Sequence, residues 1–94
     1  MKKLARITIK DEYLEECLGY IKDHTNYCKT EQGNLVSEAY QSEEDPHIVY
    51  LISEYATPED EKRHVESPAD AAFIKKMEGK EAAPVKMFAW TQLA

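Results

Sequence analysis

The segment from Glu31 to Tyr55 constrains the fold more than any other part of the chain. Gly33, near its start, suits the positive-φ stop of a helix, where a Cβ would clash. Two strand-like runs follow, parted by Gln41-Ser42-Glu43-Glu44-Asp45-Pro46, which is a turn composition. The second run is apolar on both alternating faces, with Ile48, Tyr50 and Ile52 on one side and Val49 and Leu51 on the other. A strand buried on one side only would alternate with polar residues. This strand demands cover on both sides, and a chain of 94 residues has few helices to supply it. A partner subunit is the implied remedy.

The flanking segments complete a familiar order. Ala5 to Lys10 alternates as a strand, with Ala5, Ile7 and Ile9 on its apolar face. Asp11 is placed to cap a long helix running to about Thr30, in which Leu14, Leu18, Ile21, Thr25 and Cys28 recur at helical spacing. Tyr13, Cys17 and Tyr20 flank that stripe. After the hairpin come two helix starts of one design, Thr57-Pro58-Glu59-Asp60 and Ser67-Pro68-Ala69-Asp70. Each offers a hydroxyl cap, a proline at the first helical position and a carboxylate in the first turn. The second helix carries Phe73, Ile74 and Met77 and stops at Gly79; a last strand is expected over Val85 to Leu93.

Strand, helix, strand, strand, helix pair, strand is the order of an α+β, ferredoxin-like split βαβ domain, here spanning residues 1–94. Its four-stranded antiparallel sheet carries helices on one face. The other face would expose Phe88, Trp90 and half of the hairpin's apolar residues, and such a patch rarely stays open to water. Two sheets placed face to face would bury it, so the pattern predicts a homodimer closing a dimeric α+β barrel.

The net charge of −6 argues against nucleic acid as a partner, since phosphate neutralisation needs a concentrated basic surface. No apolar run is long enough for a membrane span and no signal-peptide core follows Lys2 and Lys3, which points to a cytoplasmic protein. Cys17 and Cys28 share the first helix about 16 Å apart, too far for a disulfide, and read as small buried hydrophobes. His24 and His47 read as exposed histidines without the spacing of a metal site, and there is no phosphate-binding glycine loop. Neither a metal nor another cofactor is expected.

Several of these residues together resemble one family. Glu31-x-Gly33-x-Leu35 ahead of a strand, Asp45-Pro46 before a strand ending Glu54-Tyr55, and His64-x-x-Ser67-Pro68 before Phe73 look like the antibiotic biosynthesis monooxygenase domain. That family belongs to the dimeric α+β barrel superfamily with the small quinol monooxygenases. The resemblance implies a pocket between sheet and helices, and oxygen chemistry on an electron-rich aromatic substrate, often without metal or flavin. It also implies roles for His64 and Phe73, and for Tyr55 where tryptophan is more usual. The haem-degrading branch does not fit, because Ala5 and Ile74 stand where that branch has an asparagine and a haem-ligating histidine.

His64 is the catalytic candidate, because a neutral imidazole can take the proton of a substrate hydroxyl. The plain alternative is a helix histidine bonded to a neighbouring carboxylate such as Asp60 or Glu61. The expected pocket is Ala5, Ile7, Tyr50, Glu54, Tyr55 and Phe73, holding a small aromatic or quinol-like ligand. Glu54 and Glu38 could also be salt-bridge partners of Arg6. Three functions remain open at this point: a cofactor-independent monooxygenase, a non-catalytic dimer that binds a small ligand, and an isomerase-like or lyase-like enzyme. A purely structural protein would leave no cavity, because Phe73, Met77 and Ile21 would fill it.

Overall fold

The computed structural model describes residues 2–94. Strand β1 (Lys2–Thr8) leads through one turn of 3-10 helix (Asp11–Tyr13) into α1 (Leu14–Cys28). The hairpin β2 (Asn34–Gln41) and β3 (Ile48–Tyr55) follows, then α2 (Pro58–Val65), α3 (Pro68–Met77) and β4 (Lys86–Trp90). The sheet order is β2-β3-β1-β4 with every neighbouring pair antiparallel, the ferredoxin-like arrangement. No helix among the described residues is long and apolar enough to cross a membrane.

Local chemistry sets the helix boundaries. Thr57 and Ser67 each accept a hydrogen bond from the backbone N–H three residues on, Asp60 N and Asp70 N, both at 3.1 Å. A proline follows each cap at the first helical position, where its missing N–H costs nothing. Gly33 adopts φ +78°, and a Cβ there would collide with the Asp60 carboxylate. The chain therefore turns into β2 directly beneath the start of α2.

Register decides which side chains share a face. Ala5 pairs with Leu51 and Met87, and Ile7 with Val49, placing these on the helix side of the sheet. There Ile7, Ile9, Val49, Cys17, Ile21 and Met77 form the buried core. Leu4 pairs with Ile52 and Phe88 on the opposite side.

Four expectations shift. β1 begins at Lys2, where it pairs with Trp90, and ends at Thr8; Ile9 makes only an isolated bridge to Glu81. β4 likewise stops at Trp90, level with the start of β1, rather than running to Leu93. Asp11 caps nothing, because its Oδ1 lies 2.8 Å from His47 Nε2, and an uncapped 3-10 turn precedes α1 instead. Within α1 the most deeply buried side chain is Cys17, expected at the flank, while Leu14 and Leu18 are only partly covered.

Candidate functional site

A cavity of about 460 Å³ lies between the helix side of the sheet and α2 and α3. Ala5, Ile7 and Leu51 come to it from the sheet, and Phe73 and Met77 from α3. Met77 and Ile21 are buried as a packed core requires, yet the space remains. Val65, Ile74 and Met87 are exposed and also line it, so the rim is apolar. Lys3 and Glu61, which line it as well, are paired with each other.

One end of the cavity is polar. His64, in the last turn of α2, places Nδ1 2.7 Å from Glu31 Oε1. The Tyr55 hydroxyl donates to the same oxygen at 2.8 Å, and its ring stacks on His64 with centroids 5.0 Å apart. An ionised carboxylate only accepts, so in a neutral His64 the proton faces Glu31 from Nδ1 and Nε2 carries the lone pair. Nε2 stands 3.6 Å from Asp70 Oδ1, at the start of α3. The same Asp70 oxygen is 3.4 Å from Nε2 of His24, whose ring stacks flat on Phe73 at 4.1 Å. Cys28, one helical turn beyond His24, places Sγ 3.5 Å from His24 Nε2 and 3.9 Å from His64 Nδ1.

Electrostatics follow from this enclosure. Burial pushes the Cys28 thiol up to about 12, with the Glu31 charge adding to the effect. Tyr55 is raised too, first by burial and then by its hydrogen bond to Glu31, so it stays a phenol and a donor. His24, Cys28 and His64 bring their ligand atoms within 4.8 Å of one another, a grouping able to hold a metal ion.

Of the residues singled out from sequence, Ala5, Ile7, Tyr55, Phe73 and His64 surround this one cavity. Tyr50 and Glu54 do not line it. Alternation along β3 directs Leu51, Ser53 and Tyr55 to the helix side, so Tyr50 and Glu54 fall on the other face. Arg6 places its guanidinium 6.0 Å from the Phe88 ring centroid. The expected plain partners of His64 are engaged elsewhere: Asp60 accepts from Arg63 and Thr57, and Glu61 pairs with Lys3. His24 is a correction, since its side chain is only 11% exposed. His47 is held between Asp11 and Asp45 rather than standing alone.

Sequence reasoning missed Glu31, His24, Cys28 and Asp70 as members of a site. His24-x-x-x-Cys28 at helical i, i+4 spacing was the available signal, since such a pair projects from one face. Glu31 and Asp70 reach the site only through tertiary structure.

The comparisons with known proteins agree with this architecture. The profile of the antibiotic biosynthesis monooxygenase family matches residues 1–76. A structure from Bacteriodes thetaiotaomicron VPI-5482, provisionally assigned as an antibiotic biosynthesis monooxygenase, is 27% identical, with a TM-score of 0.90 over 100% of this chain and 90% of its own. A similarly assigned protein from Nitrosomonas europaea is 21% identical, with a TM-score of 0.91 over 98% of this chain and 88% of its own. A Pseudomonas aeruginosa protein is 22% identical, with a TM-score of 0.90 over 99% of this chain and 93% of its own. At those last two identities the likeness carries the fold alone. No curated protein matches. The extent of the profile match and the shared fold place the chain in the antibiotic biosynthesis monooxygenase family.

Proposed function

We propose that the protein is a monooxygenase that oxidises a small quinol or polycyclic phenol in the cavity beneath α2 and α3. The observation that carries this is His64, a cavity-lining imidazole whose Nδ1 is tied to Glu31 at 2.7 Å. Nε2 accepts the substrate hydroxyl proton, and Glu31 stabilises the imidazolium that forms. The resulting phenolate is electron-rich enough to react with oxygen. The redox balance closes within the two reactants. The ring loses four electrons and two hydrogens and becomes a quinone; one oxygen atom enters it and the other leaves as water. Ala5, Ile7 and Phe73 supply apolar walls for such a ring. The chain works as a homodimer, as is typical of the family, and in this reading it pairs through the open sheet face.

The test is oxygen consumption by purified protein given a panel of reduced quinols and anthrones, with His64→Ala alongside. Wild-type uptake is expected to fall by about two to four orders of magnitude in the variant. Unchanged turnover in His64→Ala removes the histidine from the mechanism. A wild type that consumes no oxygen across the panel rejects the reading in favour of a ligand-binding dimer.

A further inference from the structure

The polar end of the cavity holds more than proton transfer requires. Four titratable side chains, His24, Glu31, His64 and Asp70, converge there with side-chain exposures of only 11% to 17%, and Cys28 is buried among them. Among the described residues the ion-pair partners of Glu31 and Asp70 are these two histidines alone, with no lysine or arginine. Two enclosed carboxylates without a fixed cation are costly unless positive charge is supplied.

The distances are also wrong for a simple hydrogen-bond network. Asp70 Oδ1 stands 3.4 Å and 3.6 Å from the two Nε2 atoms, beyond the usual N–H···O range of about 2.7–3.2 Å. His64 spends its one neutral-state N–H on Glu31, so its Nε2 lone pair confronts an acceptor oxygen. His24 Nε2 lies between that oxygen and the Cys28 sulfur, and a neutral ring cannot donate to one and accept from the other at a single atom.

The Cys28–His24 separation is that of two ligands gathered on one ion. Nitrogen or oxygen ligands about 2.0–2.1 Å from a tetrahedral zinc stand about 3.3–3.4 Å apart, and a sulfur at about 2.3 Å stands about 3.5–3.6 Å from a nitrogen. Here Cys28 Sγ stands 3.5 Å from His24 Nε2, the ligand atoms of His24, Cys28 and His64 all lie within 4.8 Å of one another, and Asp70 Oδ1 stands 3.4 Å and 3.6 Å from the two Nε2 atoms. We propose that His24, Cys28 and His64 form a binding site for a divalent transition metal ion of the zinc type at the polar end of the cavity, with Asp70 beside them as a charge partner. Glu31 is its outer partner: its 2.7 Å contact with His64 Nδ1 orients the ring and strengthens Nε2 as a ligand. The Cys28 thiolate binds the ion, and the adjacent Asp70 carboxylate offsets its remaining charge. Binding breaks the S–H bond of Cys28, forms a metal–sulfur bond and releases one proton to solvent. The ion takes the lone pair that proton abstraction would use, so a filled site and a His64 base exclude each other.

The experiment uses the full chain freed of metal by a chelator and titrated with Co²⁺. Wild type is expected to bind one ion per chain, with strong tetrahedral visible bands and a near-ultraviolet thiolate-to-cobalt charge-transfer band, and Zn²⁺ should displace it. Cys28→Ser, with its fold checked by circular dichroism, should lose the charge-transfer band, whereas Cys17→Ala should keep it. Glu31→Gln should weaken affinity about 10- to 100-fold without changing the ligand count. The proposal is overturned if wild type shows only a pale octahedral spectrum without the charge-transfer band, or if the band survives Cys28→Ser. Because the readout is spectroscopic and needs no substrate, its failure is separate from failure of the monooxygenase reading.

Discussion

The two faces of the sheet are built from the same strands and are both rich in apolar side chains, yet they end differently. On the helix side, Ile7, Val49 and Met77 are each at most 4% exposed. Among the described residues of the open side only Leu4 is buried, with Ile52 and Phe88 as its cross-strand neighbours, while Tyr40 and Trp90 remain about half exposed. Hydrophobicity alone does not distinguish the two. What differs is that α1 and α3 cover one face, while residues 2–94 contain no further helix for the other. A strand apolar on both sides calls for cover on two faces, and the described residues supply it on one.

The largest expected effect tests that asymmetry. Phe88→Glu or Trp90→Glu should abolish the dimer in sedimentation, leaving monomeric or unfolded protein. Val65→Glu places the same charge at an exposed apolar position on the helix side, and should leave the dimer intact. A Phe88→Glu protein that still sediments as a dimer would reject face-to-face pairing. Loss of the dimer in Val65→Glu as well would erase the distinction between the faces.

A smaller effect is expected on the covered side, where packing is close enough to depend on one missing Cβ. Gly33→Ala must hold an L-residue at φ +78° and push the Asp60 carboxylate away from its cap partner Thr57. Gly79→Ala meets the same φ of +78° but has open space around it. The first should cost about 2–3 kcal/mol and the second about 1–2 kcal/mol in urea unfolding. Equal losses would mean that the backbone conformation, and not the approach to α2, carries the cost at Gly33.

The same contrast governs what the sequence could disclose. The caps at Thr57 and Ser67 were legible because hydroxyl, proline and carboxylate act within three residues of one another. The strand order followed from a few such local signals and the limited menu of split βαβ folds. The choice of face for β3 was not legible. With apolar residues on both sides, period-two alternation places Tyr50 and Tyr55 on opposite faces but does not say which face meets the helices. The polar residues Ser37 and Ser53 lie on the helix side, where Ser37 Oγ donates to Thr25 O at 2.8 Å, so polarity misleads there as well. At the site, His64 stood out by its chemistry, but its partner Glu31 lies 33 residues away and Asp70 arrives on another helix. Asp11 had the right residue type for a helix cap, and a distant histidine claimed it.

His47 offers the smallest effect and the sharpest sign. It belongs to neither face, but closes the end of the sheet, joining the β2–β3 turn to the 3-10 turn ahead of α1. Its Nε2 meets Asp11 at 2.8 Å and its Nδ1 meets Asp45 at 3.0 Å, while its carbonyl accepts from Ile9 N at 2.8 Å. Hydrogen bonding to Asp11, then to Asp45, raises the imidazole above its ordinary 6.5. Backbone and side-chain hydrogen bonds from His47 lower Asp45 below its ordinary 3.8. A raised histidine stabilises the fold fully below its unfolded value, and that contribution disappears as pH rises through the folded one. A lowered carboxyl acts in the reverse sense, stabilising above its unfolded value and failing as pH falls through the folded one. The clamp is therefore complete in the interval between 3.8 and 6.5 and fades on either side. Because these groups are exposed, salt should shrink the effect. The urea midpoint of wild type minus that of His47→Gln should be largest near about pH 5.5 and should narrow by about pH 9. A gap that stays constant across that range would show that His47 holds the turn by shape alone, with no linked charge.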